Sequence, residues 1–406
     1  MRKYAILRNM SAAPTAEPFS RRATGLTAEG GATAHPIPHI EVADLSSKDV
    51  RDLARDPQVQ NIAPVMPTVL IRPFEVASGE AATGAWGIGA VKADVSTFTG
   101  AGVTVAVLDT GIDKSHAAFQ GVQLIEQDFS GAGNGDVVGH GTHCAGTIFG
   151  RDVNGTRIGV ARGVNKALIG KVLSNDGSGD SDMIFRGIQW AVQEGAQVIS
   201  MSLGFNFPGL VDRLIAQSWP AELATSVALE AYRGNLRMFD ALMEMVLARS
   251  AFGVGTVVVA AAGNESRRDE NPEFEIAVSI PAAAQGIVSV GALAQQGTGL
   301  VVAPFSNTFP QVSAPGVNIL SAKVGGGLKA LNGTSMATPH VAGSVALCFG
   351  SGGAAGPCTG LTPAQVVQKL RSDAQAHATA DNGFTGDPLH AVAGRYFGYL
   401  TWDGAY

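Results

Sequence analysis

From about residue 85 onward, short runs of apolar, β-branched residues alternate with segments whose apolar positions recur at helical spacing. Residues 103–108, 167–173, 198–203 and 256–260 read as strands buried on both faces, because their apolarity is continuous and does not alternate. Helical patterns over 182–194, 221–233, 235–250 and 364–374 fall between or after them. Strands and helices in this alternation predict an α/β domain, a parallel sheet covered by helices on both faces. Functional residues in such sheets gather where the strands end.

The first 75 residues have a different texture. Residues 4–7 and 38–42 read as short strands separated by a Pro-, Ala-, Gly- and Thr-rich loop. A helix is expected over 47–55, with Ser46 as its cap, Asp49 three residues later and Pro57 beyond its end. Residues 59–65 return as a strand, and 72–84, small and without period, read as a linker. The expected organisation is a small α+β unit over 1–75, a linker over 76–84 and a large domain over 85–406, interrupted by an unusual stretch at 205–233.

Composition narrows the function classes. Hydrophobic residues make up 46% and charged residues 15% of 406, enough to bury a substantial core. The net charge of -6, without a dense Lys/Arg cluster, argues against nucleic acid or an anionic membrane as partner. No run approaches the roughly 18 apolar residues of a membrane span, and the first ten residues lack a signal-peptide apolar block, which reads as cytoplasmic. Three cysteines, Cys144, Cys348 and Cys358, are too few for a disulfide framework, and their pairing is left open.

Three segments carry candidate chemistry. Asp109 directly follows a predicted strand; alone it is as readily a turn residue. His140 and His143 lie in Gly-His-Gly-Thr-His, and the metal-pair reading fails for want of a Glu between them or a suitable third ligand. Ser335 stands where a glycine-rich loop enters a helix, which is the place of an N-cap but also of a hydroxyl beside free backbone N–H groups. A serine hydroxyl needs a base to take its proton, an imidazole serves near neutral pH, and an acid on the other ring nitrogen fixes its tautomer. Asp109, His140 and Ser335 supply these three parts.

Asp109-Thr-Gly-Ile, His140-Gly-Thr-His-Cys-Ala-Gly and Gly-Thr-Ser335-Met-Ala-Thr-Pro-His-Val-Ala-Gly closely resemble the three signature blocks of the subtilisin family, in the family's Asp, His, Ser order. The Cys after His-Gly-Thr-His resembles the proteinase K branch. The resemblance implies a serine endopeptidase with a subtilisin-like catalytic domain, Cys144 as a buried thiol near His140, and polypeptide substrates. By matching blocks, Asn264 in Ala-Ala-Gly-Asn would donate to the oxyanion. Gly177, Ser178 and Gly179 would form one edge of the substrate groove and Ser202, Leu203 and Gly204 the other, while Ala261, Ala262 and Gly263 would line the pocket for the residue before the cut. The N-terminal unit resembles the family's ferredoxin-like inhibitory propeptide, so self-cleavage is expected between about Arg72 and Gly84. Most relatives with propeptides are secreted, which sets a second expectation against the cytoplasmic one.

The pattern also departs from the family. Ala118 stands where many relatives carry a calcium-binding Asp, so a structural calcium is left open, with Asp152, Asn154 and Thr156 as the remaining oxygen donors. Residues 205–233 lengthen the connection beside the groove by about 30 residues, as specificity element, lid or decoration. Two other functions compete. A serine esterase shares Gly-x-Ser, but chain order and the lack of a predicted strand running into Ser335 argue against it. A non-catalytic protein with a permanently bound N-terminal unit is disfavoured by the complete set Asp109, His140, Ser335 and Asn264.

Overall fold

The N-terminal unit pairs β1 (Arg2–Asn9) with β2 (Pro38–Leu45) and β3 (Val59–Pro64) in an antiparallel sheet ordered β2-β1-β3. Helix α1 (Ser47–Leu53) lies between β2 and β3, and its capping box is formed as the sequence predicts: Asp49 N donates to Ser46 Oγ and Ser46 N to Asp49 Oδ2. The computed structural model describes residues 2–10, 38–76, 84–250, 255–297, 299–350, 356–376 and 398–400. Within the expected linker, residues 77–83 therefore lie outside the described part.

Before that gap the chain forms two strands the sequence reading did not expect, β4 (Pro67–Leu70) and β5 (Phe74–Glu75). The large domain then opens with α2 (Trp86–Ala90), β6 (Thr104–Asp109), β7 (Gln123–Asp128), α3 (His140–Phe149), β8 (Lys166–Lys171), β9 (Ser178–Asp180) and α4 (Ser181–Gln193). There follow β10 (Val198–Met201), β11 (Leu203–Phe205), α5 (Phe207–Ala216), α6 (Ala221–Arg249), β12 (Val257–Ala261), β13 (Ile287–Gln296), β14 (Gly299–Val302) and β15 (Val312–Pro315). The hairpin β16 (Ile319–Ala322) and β17 (Leu328–Asn332) leads to α7 (Thr334–Phe349), α8 (Pro363–Asp373) and the short strands β18 (Ala374–Ala376) and β19 (Gly398–Leu400).

Strands β15-β13-β12-β10-β6-β8-β7 run parallel through the middle of the domain. Val105, Val107, Val257 and Val259 pack on one face with α3 and α7, while Ala106, Leu108, Val258 and Ala260 pack on the other with α4 and α6. This alternation of neighbours along uniformly buried strands accounts for the continuous apolar runs. In α4, Ile184, Phe185, Ile188, Ala191 and Val192 are buried, one face at helical spacing. Among the described residues no helix is long and apolar enough to cross a membrane.

Two helical patterns expected over 221–233 and 235–250 are one helix of 29 residues, α6. Gly234 does not end a helix here. Its missing Cβ admits the N-terminal unit, since a methyl group there would lie 3.3 Å from Pro64 and 3.8 Å from Ala63. The buried Asn235 next to it donates to Pro64 O at 2.8 Å and back to Ala231 O at 2.8 Å. The single expected strand over 198–203 is split into β10 and β11, because β11 leaves the large sheet to pair elsewhere. At the far end of α7, Cys348 and Cys358 form a disulfide and Cys144 is free. Closing so short a loop restricts the unfolded chain by about 2–3 kcal/mol.

Candidate active site

Asp109 is the last residue of β6 and His140 the first of α3, so the sheet and the helix fix their separation. Asp109 Oδ1 lies 2.7 Å from His140 Nδ1 and also accepts from Thr110 N at 2.7 Å. Glycine at 141 is required by this approach: a Cβ there would sit 2.2 Å from Gly111 O. Both side chains are buried, at 1% and 2% exposure. Burial alone would lower the imidazole pKa, but the Asp109 carboxylate beside it holds it well above 6.5. His140 Nε2 has no hydrogen-bond partner among the described residues and is the free basic position.

Two buried charges that the sequence reading missed brace this pair. Asp136 accepts from Thr110 Oγ1, Gly139 N, and the Thr142 backbone and hydroxyl, tying the end of β6 to the first turn of α3. Lys171, at the end of β8, donates to Thr110 O at 2.5 Å and Gly135 O at 3.0 Å. Burial lowers its pKa, though neighbouring carboxylates oppose that. A Lys in an apolar strand is the one available sequence signal, since such a group must find partners at its end. His143 points away, its Nε2 meeting Ile319 O and Lys329 O, and burial drives its pKa down to about 3.

Ser335 sits in the first turn of α7. Contrary to the sequence reading, a strand does lead to it: β17 ends at Asn332, one residue before the Gly333 cap. That strand belongs to an outlying antiparallel hairpin, not to the central sheet, so it does not form the elbow of an esterase. Inside α7, Pro339 cannot donate back to Ser335 O. Cys144 Sγ at 3.4 Å and Ser202 Oγ at 3.3 Å donate to that carbonyl instead. Cys144 is also 3.9 Å from His140 Nδ1, and burial raises its thiol pKa, so it bridges acid-base pair and serine as a neutral group.

Asn264 follows β12. Its Oδ1 accepts from Thr334 N at 2.9 Å and Thr334 Oγ1 at 2.8 Å, which turns its Nδ2 into the cleft. Thr334 is a third residue the sequence reading did not single out. Gly263, at φ 114, leaves room for Asn307, whose amide would otherwise lie 2.2 Å from a Cβ. Asn307 Nδ2 donates to Ala262 O at 3.1 Å, and Ala261 and Ala262 are fully buried.

The groove between the two predicted edges is filled by the chain itself. Strand β4 pairs antiparallel with β9 on one side and β11 on the other. Val69 lies opposite Ser178 and Gly204, Thr68 opposite Gly179 and Phe205, and Leu70 opposite Leu203. Leu70 N donates to Gly177 O at 2.8 Å. Beyond β4, the Ser335 hydroxyl donates to Ile71 O at 3.2 Å and to Ser202 O at 3.5 Å, and Asn264 Nδ2 to Arg72 O at 3.1 Å. The Ile71 side chain is buried over Gly204, where a Cβ would be 3.4 Å from its Cγ1 and 3.6 Å from Ser279 Oγ. The carbonyl that meets Ser335 lies one residue before the expected processing window of 72–84.

Asp109, His140 and Cys144 are the group among the described residues with metal-ligating atoms close together, and the acid-base pair accounts for them. Of the positions that bear on a structural calcium, Ala118 is buried among apolar residues and the Asp152 carboxylate meets Arg162 at 3.3 Å. The 205–233 stretch supplies α5 and the start of α6, and Asn206 N donates to Pro67 O at 3.2 Å, extending the β11 edge.

A model of the Subtilase family matches residues 100–388. Subtilisin-like protease 1 of Trichophyton verrucosum and that of Arthroderma benhamiae are each 30% identical over 330 residues, covering 77% of this chain and 69% of theirs. The protein of that name from Trichophyton rubrum is also 30% identical, with 55% of its length covered. The chain thus spans between about half and two thirds of these relatives. With the match across the parallel strands from β6 to β15 and helices α3 and α7, the chain belongs to the subtilase family and is a serine endopeptidase.

Proposed function

We propose that the chain hydrolyses peptide bonds through an acyl-enzyme on Ser335, and that residues 1–71 form an inhibitory propeptide removed by the enzyme's own cut at Ile71–Arg72. The observation that carries this reading is β4, an extended segment held between β9 and β11 with the next carbonyl at the Ser335 hydroxyl. An added strand is how a groove of backbone donors and acceptors recognises a polypeptide, and an ester substrate would leave those groups unused. The buried Ile71 side chain and the exposed Arg72 favour the bond between them over Arg72–Pro73.

In the reaction, His140 Nε2 takes the Ser335 proton as Oγ attacks the carbonyl carbon. Asp109 keeps the other ring nitrogen as donor and stabilises the imidazolium. Asn264 Nδ2 and the Ser335 N–H receive the oxyanion. The tetrahedral intermediate collapses as His140 protonates the departing amine, and water then attacks the acyl-enzyme with His140 again as base. In the seated state Asn264 holds the carbonyl of Arg72, one residue beyond the bond to be cut, so cleavage requires the Ile71 carbonyl to turn towards it.

Casein should be degraded and a serine-directed phosphonate should stop it. Hydrolysis of a short-chain ester with casein left intact would reject the endopeptidase mechanism. Asn264→Ala should lower kcat about 10²- to 10³-fold with little change in KM, a magnitude that comes from subtilisin itself. A raised KM at wild-type kcat would remove Asn264 from the oxyanion site.

A further inference from the structure

We propose that the cleft selects an acidic side chain at the fourth residue after the cut, through Lys329. The inference rests on the catalytic reading above and extends it to the far side of Ser335. Past the Ile71–Arg72 bond the chain does not leave the cleft: β5 pairs antiparallel with β17, with Phe74 opposite Asn332 and Glu75 opposite Leu331. Successive residues of a strand point to opposite faces. Phe74 accordingly packs on Phe305, ring centroids 5.0 Å apart, while Glu75 reaches diagonally across to Lys329, Oε1 to Nζ 2.8 Å. Counted from the bond, Arg72 is first and Glu75 fourth.

Three features make Lys329 a selecting group and not an incidental surface charge. Its backbone is fixed, because β17 pairs with β16 and Lys329 O receives His143 Nε2 at 3.1 Å. Its side chain lines a cleft cavity of about 430 Å³ that also contains His140, Arg72 and Glu75, with Lys323 on the same hairpin. The other end of the groove has the opposite sign: Asp180 lies opposite Pro67 in the β9 pairing, and both Asp180 and the buried Asp182 are met by Lys3 of the N-terminal unit. A substrate strand with an acidic fourth residue after the cut therefore finds its counter-charge at Lys329, which adds a preference to the polarity that the backbone pairing already sets.

The side chains of Lys329 and Glu75 are 40% and 74% exposed, so the preference is a modest one. The test uses peptides spanning residues 66–76 of this chain with Glu75 kept, Glu75→Gln or Glu75→Lys, cleaved by the wild-type protein after self-processing and by Lys329→Glu. Wild type should favour the Glu75 peptide over the Glu75→Lys peptide by about three- to tenfold in kcat/KM at low salt, and the order should invert in Lys329→Glu. Raising the salt should shrink both ratios. Cleavage of all three peptides at equal rates, or an order unchanged by Lys329→Glu, overturns the subsite while leaving the catalytic reading standing. Failure of wild type to cut any of them, alongside failure on casein, overturns the catalytic reading and the subsite together.

Discussion

Ser335→Ala should reduce peptide hydrolysis about 10⁶-fold, the scale found for the nucleophile in subtilisin itself, and should leave the chain uncut. The fold should survive. The substitution removes one small hydroxyl whose bonds, to Ile71 O and Ser202 O, are at 3.2 and 3.5 Å, while Ser335 O keeps Cys144 and Ser202 as donors. The loss in stability is of the order of one neutral hydrogen bond, about 1 kcal/mol. Intact mass is the decisive measurement: wild type should release a fragment ending at Ile71, and Ser335→Ala should stay at full length with the N-terminal unit bound. A wild type that digests casein yet remains full length would mean that the N-terminal unit is a permanent domain. A fragment ending between Arg72 and Gly84 would keep self-processing but move the cut away from the carbonyl that meets Ser335.

Asp109→Asn should cost about 10⁴-fold in kcat, the scale of that exchange in a serine-protease triad. The Asn amide would donate to His140 Nδ1 and so place the ring proton on Nε2, where Ser335 needs an acceptor. The pH profile distinguishes this from simple misfolding. His140 must be neutral to act as base, and in the folded protein its pKa lies well above 6.5, burial being outweighed chiefly by the Asp109 carboxylate. Wild-type activity should therefore fall as pH drops through that raised value. With the carboxylate gone, no negative charge offsets the burial of the imidazole, and the residual activity should keep its acid limb to lower pH. An acid limb that stays in place in Asp109→Asn would show that Asp109 does not set the His140 pKa.

Much of this protein is fixed by short stretches of sequence. Asp109 after an apolar strand, His140 among glycines and Ser335 at a helix start are local placements, and each is decided by residues within a few positions of it. The same holds for the Ser46–Asp49 capping box and for the alternate packing of Val105 and Ala106 on opposite sides of one strand. Local chemistry and hydrophobic period act over one element, so they can be read from one element.

Other features depend on what arrives from elsewhere in the chain. Residues 67–75 are seated because β9, β11 and β17 offer edges to pair with, and the apolar, β-branched run Thr68–Ile71 does not by itself say which edges those are. Gly234 looks like a helix breaker until Pro64 of the N-terminal unit is seen against it. Lys171 and Asp136 acquire their bracing role only when β8, the end of β6 and the first turn of α3 converge, and Glu75 meets Lys329 across more than 250 residues of sequence. A sequence displays which groups are available to bond. Which donor meets which acceptor depends on packing between distant elements, and that is decided only when the burial of the whole core brings them together.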